Sequence, residues 1–236
     1  MLPAVNSERT DLTEVFASIQ GEGIYVGVPQ IFIRFNQCNL SCEYCDTPIN
    51  THGLPSLTVE EVLESARRFY VPGSFHSFSL TGGEPLVYLP FLKKIIPRLK
   101  EWIPTTYLET NGVLAEALVG LIEQVDIIAM DLKLPSALRG QQYWGAHRRF
   151  LKVAARKEVF VKVVITEMSR LEEWKQAVRL VKTISPSIPM VLQPATAPSG
   201  GLRADVDQLF QWQKWARGYL EDVRVIPQVH KLMNVR

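Results

Sequence analysis

Three cysteines, Cys38, Cys42 and Cys45, fall within eight residues of a 236-residue chain that holds no others. An odd number at such short spacing makes a poor disulfide framework and a good set of metal ligands. The pattern Cys-x3-Cys-x2-Cys supplies thiolates for three irons of a cubic [4Fe–4S] cluster, which normally takes four cysteines. With no fourth cysteine, one iron keeps an open coordination site for a small molecule, and a chelating amino acid would suit it. The competing reading is a structural zinc site of three cysteines and one histidine. His52 is the nearest histidine, seven residues past Cys45, a longer offset than finger-like sites use.

Such ligands need a scaffold, and the sequence describes one. Short runs rich in β-branched and aromatic residues recur at 30–36, 76–81, 105–109, 125–131, 158–165 and 188–193. Several are apolar on both faces, as strands of a covered parallel sheet are. Amphipathic stretches at 58–70, 89–102, 113–123, 171–184 and 205–220 separate most of them. Thr58 is placed to cap the first, and Pro97 to kink or divide the second. This alternation predicts an α/β fold of about six parallel strands with outer helices. Six is too few for a closed eight-stranded barrel, so a partial, open TIM-like barrel or a doubly wound sheet is expected. Two further extended runs, 12–20 and 223–229, flank the set.

In either architecture functional groups collect just after strand C-termini. Cys38, Gly82-Gly83-Glu84-Pro85, Thr110-Asn111-Gly112, Lys133 and Gln193-Pro194 all occupy such positions. A formal net charge of +2 advertises no nucleic acid or membrane partner. The first residues lack the basic and apolar regions of a signal peptide, and no apolar run approaches the roughly 20 residues of a membrane span. The expectation is a cytoplasmic protein forming a single domain over 1–236, with its core at about 28–200 and segments 12–27 and 221–236 closing the site.

The cysteine spacing resembles the signature of the radical S-adenosylmethionine (SAM) superfamily, and Ser79-Leu-Thr-Gly-Gly-Glu-Pro85 looks like its second hallmark. The resemblance implies SAM at the open iron, with Tyr44 near its adenine. Gly83 and Glu84 would meet its amino group, and Asp46, Asp131, Lys133 and Gln193 would add contacts. Ser18-Ile-Gln-Gly-Glu-Gly23, Arg34, Cys45-Asp-Thr47, Leu108-Glu-Thr-Asn-Gly112, Asp131-Leu-Lys133 and Gln228-Val-His-Lys231 follow in order. Together they resemble the 7-carboxy-7-deazaguanine synthases over most of the chain.

That resemblance implies ring contraction of 6-carboxy-5,6,7,8-tetrahydropterin with loss of ammonia, in deazapurine biosynthesis. It places Ile19, Gln20, Gly21, Glu22, Arg34, Thr81, His230 and the terminal Arg236 at the pterin, and Thr47 on Mg²⁺. Ordinary roles compete: an ion pair for Arg34, a helix cap for Thr47, a solvated surface for Lys133. His52, His76 and His147 read as surface or packing residues. Homodimerisation and an electron donor such as flavodoxin or ferredoxin are further implications. The alternatives are a glycyl-radical-enzyme activase and a non-catalytic metal-binding module.

Overall fold

The structure is a computed structural model, and it describes residues 7–235. Arg236, expected at the pterin, lies outside the described residues. In chain order the strands are β1 (Arg9–Ile19), β2 (Pro29–Phe35), β3 (Ser56–Thr58), β4 (Ser77–Gly82), β5 (Thr106–Thr110), β6 (Ile127–Asp131), β7 (Glu158–Ile165), β8 (Met190–Pro194) and β9 (Val223–Val225). The helices are α1 (Val59–Arg67), α2 (Leu89–Lys100), α3 (Ala115–Val119), α4 (Trp144–Ala154), α5 (Leu171–Ile184), α6 (Val206–Ala216) and α7 (Val229–Leu232).

The strands form one sheet in the order β3-β1-β2-β4-β5-β6-β7-β8-β9. β2 and β4 through β9 run parallel, whereas β1 is antiparallel to both β2 and β3. All six expected strands are present, and β9 adds a short seventh to the parallel set. Edge strands β3 and β9 stand at opposite ends of the order, so the barrel is open.

Two-residue periodicity divides every strand between the two faces. On β7, Val159, Val161, Val163 and Ile165 enter the main core beneath the helices, while Phe160, Lys162 and Val164 face the concave side. On β6, Ile128 and Met130 face the helices and Ala129 and Asp131 the cavity. The helices complete the core with spaced apolar faces: on α5, Trp174, Ala177, Val178 and Val181 are buried. Each large apolar side chain so buried contributes about 1.5–3 kcal/mol.

The elements differ from expectation at five places. The stretch at 113–123 is helical only over α3, Ala115–Val119, and then breaks before a 3-10 turn at Ile122–Gln124. α2 runs unbroken through Pro97, which lies on its exposed face. Only one internal hydrogen bond is forfeited there, and buried Ile95, Ile96 and Leu99 hold the helix down. α4 was not anticipated because the first residue of its buried face is His147, followed by Phe150, Leu151 and Ala154. β3 is a three-residue pairing with β1. The run at 223–229 is strand only to Val225 and then turns into α7.

Candidate active site

The inward rows of the strands and the loops at their C-terminal ends enclose a cavity of about 360 Å³. Cys38, Cys42 and Cys45 all line it and none forms a disulfide. Their loop leaves β2 and is fastened on several sides. Cys38 N–H donates to Asn50 Oδ1 at 3.3 Å, Glu43 N–H to the Ala137 carbonyl at 2.9 Å, and Asn111 Nδ2 to Asn39 Oδ1 at 2.8 Å. Arg203 grips Glu43 at 3.0 Å and Glu167 at 2.7 Å, tying the loop to those after β7 and β8.

Burial pushes the Cys38 thiol up to about 11 and raises Cys42 as well. These thiols therefore deprotonate as they take up metal. His52 is exposed, and among the described residues no three His, Cys, Asp or Glu side chains converge on a point suited to one metal ion. A zinc ion would need its four ligands drawn to one point, whereas a cubic cluster presents its irons at separate corners. Three free thiols around one cavity fit a [4Fe–4S] cluster with an open iron.

The Gly82-Gly83-Glu84 turn serves this loop directly. A Cβ on Gly82 would lie 2.2 Å from the Phe35 carbonyl, and one on Gly83 2.2 Å from the Gln37 carbonyl. Gly83 N–H donates to Phe35 and Glu84 N–H to Gln37, at 2.9 and 2.8 Å. The glycines let the end of β4 lie against the cysteine loop. Glu84 departs from its expected place. It is fully buried, it does not line the cavity, and its carboxylate accepts from Leu86 N–H, Asn111 N–H and the Thr110 hydroxyl. It is spoken for by the protein and braces the cavity wall from behind.

Beside the cysteines, Lys133 forms an ion pair with Asp131 at 2.7 Å and meets the Tyr44 hydroxyl at 3.1 Å. It is not a solvated surface lysine. Burial alone would lower its pKa, but the Asp131 charge outweighs that and holds it well above the usual lysine value. Asp131 Oδ1 and Gln193 Oε1 are buried acceptors without a partner, and both residues line the cavity. Unpaired buried acceptors are costly, and a ligand carrying hydroxyl or amino donors would satisfy them. SAM carries such donors, so the residues fit it.

Across the cavity the loop after β1 meets the C-terminal segment. Val229 N–H donates to the Gly21 carbonyl at 2.9 Å, and a Cβ on Gly21 would fall 2.3 Å from the His230 ring. Glu22 pairs with Lys162 and accepts from Gln228 at 2.9 Å. Burial pushes the Glu22 carboxyl up, but the Lys162 charge wins and holds it well below the ordinary range. Gln20 Nε2 donates to Glu109 and Gln30 at 2.9 Å, and Glu109 also accepts from Ser79 and Thr81. Arg34 pairs with Glu14 at 2.8 Å and stacks over Phe16, its side chain still a quarter exposed at the cavity. Ile19, Asp46 and Thr47 also line the cavity, and Asp46 is paired with Lys231.

Sequence reading missed Glu109, Lys162 and Gln228 as members of this site. For Lys162 the signal was a polar residue at an inward position of an otherwise apolar strand, and Glu109 and Gln228 lay in strings noted as wholes.

An open parallel barrel with a three-cysteine loop at its mouth is the architecture of the Radical SAM superfamily, whose model matches residues 32–183. A 7-carboxy-7-deazaguanine synthase of Geobacter sulfurreducens is 39% identical, covering 94% of this chain and 96% of its own length. One of Methanopyrus kandleri is 35% identical over 94% and 92%. The chain belongs to the 7-carboxy-7-deazaguanine synthase family. The crystal structure of QueE from Escherichia coli shares the fold, with a TM-score of 0.61 at 20% identity and coverage of 94% and 95%. These relationships displace the activase and metal-module alternatives.

Proposed function

We propose that this chain converts 6-carboxy-5,6,7,8-tetrahydropterin to 7-carboxy-7-deazaguanine and ammonia within the cavity. The observation that carries the reading is convergence: the free cysteines, the 20–22 loop and the 228–231 segment line one cavity although they are far apart in sequence. Held by Cys38, Cys42 and Cys45, a [4Fe–4S] cluster would supply the electron that cleaves SAM into methionine and a hydrogen-abstracting radical.

The protein's part is to bind, orient and exclude water. Tyr44, Asp46, Gly83, Asp131, Lys133 and Gln193 form the SAM side, with the unpaired oxygens of Asp131 and Gln193 as acceptors. Ile19, Gln20, Gly21, Glu22, Arg34, Thr81 and His230 form the pterin side, joined by Glu109. Glu22 and Glu109 offer their carboxylate oxygens as acceptors to the N–H-rich ring, while Arg34 offers a donor fork to a carboxylate. Thr47 supplies a hydroxyl oxygen suited to Mg²⁺. Segments 12–27 and 221–236 close one domain over the site.

A homodimer in the cytoplasm, reduced by flavodoxin or ferredoxin, completes the reading. Its support is the family, together with a described structure in which no helix is long and apolar enough to cross a membrane. Anaerobic incubation of cluster-loaded protein with SAM, dithionite, Mg²⁺ and carboxytetrahydropterin tests the function. Carboxydeazaguanine detected by mass is the expected result. SAM cleavage without that product would keep the superfamily and discard the substrate.

A further inference from the structure

Lys162 sits midway along β7 on its inward row, and two carboxylates from distant parts of the chain share its ammonium. Glu22, from the loop after β1, pairs with it through Oε2. Asp131, at the end of β6, approaches with Oδ2 at 3.4 Å. All three side chains are mostly buried, at 13% exposure for Lys162, 19% for Glu22 and 13% for Asp131. Asp131 Oδ2 also holds Lys133 at 2.7 Å, so carboxylates and ammoniums alternate in a row: Glu22, Lys162, Asp131, Lys133. Lys133 ends the row at Tyr44 beside the cysteines.

A lysine kept only for solubility carries its ammonium to water. This one buries it between two anions, with the Glu109 carboxylate also acting on it, an arrangement whose desolvation cost is offset mainly by Glu22 and Asp131. The two contacts are unequal, the closer being to Glu22. A ligand that donates hydrogen bonds to Glu22 competes for that carboxylate and frees the ammonium to move toward Asp131. A ligand on Asp131 acts in the opposite sense. Either event alters the charge felt at the other end of the row.

We propose that Lys162 is a positioning residue that couples occupancy of the pterin end of the cavity to occupancy of the SAM end. The inference rests on the function proposed above. It goes beyond that reading by giving the two ligand sites a single shared ion and a reciprocal energetic link, since coupling between two sites acts equally in both directions.

Equilibrium dialysis of SAM against cluster-loaded protein, without reductant so that no turnover occurs, measures this link. In the wild type the SAM dissociation constant should change about fivefold or more when carboxytetrahydropterin is present, with the same factor for pterin when SAM is present. Lys162→Met should bring that factor below about twofold, and Lys162→Arg, which keeps the charge, should retain it. Circular dichroism and iron content verify the fold. Should Lys162→Met fail to load its cluster, Glu22→Gln weakens one arm while keeping the lysine and should reduce the factor likewise. Coupling that survives in whichever of these variants loads its cluster overturns the inference, as does a wild type that binds both ligands independently. A wild type that binds no pterin at all overturns the proposed function, and the inference with it.

Discussion

Two buried residues oppose one another in their response to pH. Burial pushes Glu84 up to about 7 from an ordinary 4.5, and burial holds His147 down to about 4 from 6.5. Folded Glu84 binds more protons than unfolded chain does between those limits, so its contribution to stability falls as pH rises. Folded His147 binds fewer, so its contribution falls as pH drops from the unfolded value toward the folded one. Each amounts to about 1.4 kcal/mol per pH unit, and over their shared window the two nearly cancel. Compared with wild type, Glu84→Gln should therefore lose stability more steeply on acidification from about pH 6.5 to 5, and His147→Gln less steeply. Urea unfolding across that range reads both slopes, and parallel curves for all three proteins would refute the assignment. Neither role was legible in the sequence. Glu84 lay in a string whose glycines and carboxylate suggested a ligand, but two of the donors that claim it, on Thr110 and Asn111, are visible only when β4 and β5 are side by side. His147 looked featureless because a buried histidine and an exposed one read alike along the chain.

Elements were more legible than residues because hydrophobic periodicity is a local property. The β2 and β4–β8 strands followed from apolar runs, and the N-terminus of α1 from Thr58. There the Thr58 hydroxyl accepts from Glu61 N–H while the Glu61 carboxylate accepts from Thr58 N–H at 2.7 Å, a reciprocal cap. Thr58→Ala should cost about 1 kcal/mol and lower Tm by about 2–4 °C in a calorimeter. Because α1 lies away from the cavity, reconstituted iron should be unchanged in that variant. Gly83→Ala should behave the other way. Its new methyl meets the Gln37 carbonyl at 2.2 Å, so the end of β4 must retreat from the cysteine loop. Such overpacking costs about 1–3 kcal/mol, and here it displaces the ligands of the cluster. Iron bound after anaerobic reconstitution should fall below the wild-type level. A full complement of iron would mean that the loop is not seated by this turn. Where periodicity misled, packing explains it: α4 hid behind a histidine at a core position, and Pro97 was tolerated because α2 turns it to water.

At the scale of the whole molecule, the strings at 18–23 and 228–231 were readable, but the reason they belong together was not. The connection is made by contacts between residues some two hundred positions apart, which no local pattern encodes. Gln228 is the clearest case. Only 9% exposed, it donates from Nε2 to Glu22 at 2.9 Å and to Asp46 at 3.4 Å, and its Oε1 accepts from Thr196 N–H at 3.2 Å. One side chain thus pins the loop after β1, the cysteine loop and the loop after β8 to the C-terminal segment. Val229 adds a backbone bond to Gly21, and His230 rests against the same glycine. Gln228→Ala removes the side-chain ties and leaves the backbone one. Losing a hydrogen bond to a charged partner costs about 1.5–3 kcal/mol, equivalent to roughly tenfold or more in affinity. The KM for carboxytetrahydropterin should rise by about that factor, with a smaller change in kcat, because the loss falls on binding rather than on the reacting atoms. Amide hydrogen exchange supplies a readout independent of turnover: residues 20–28 and 226–235 should exchange faster together, as parts released from one clamp. Faster exchange in the C-terminal segment alone, with KM unchanged, would show that the two segments fold over the cavity independently and that Gln228 does not join them.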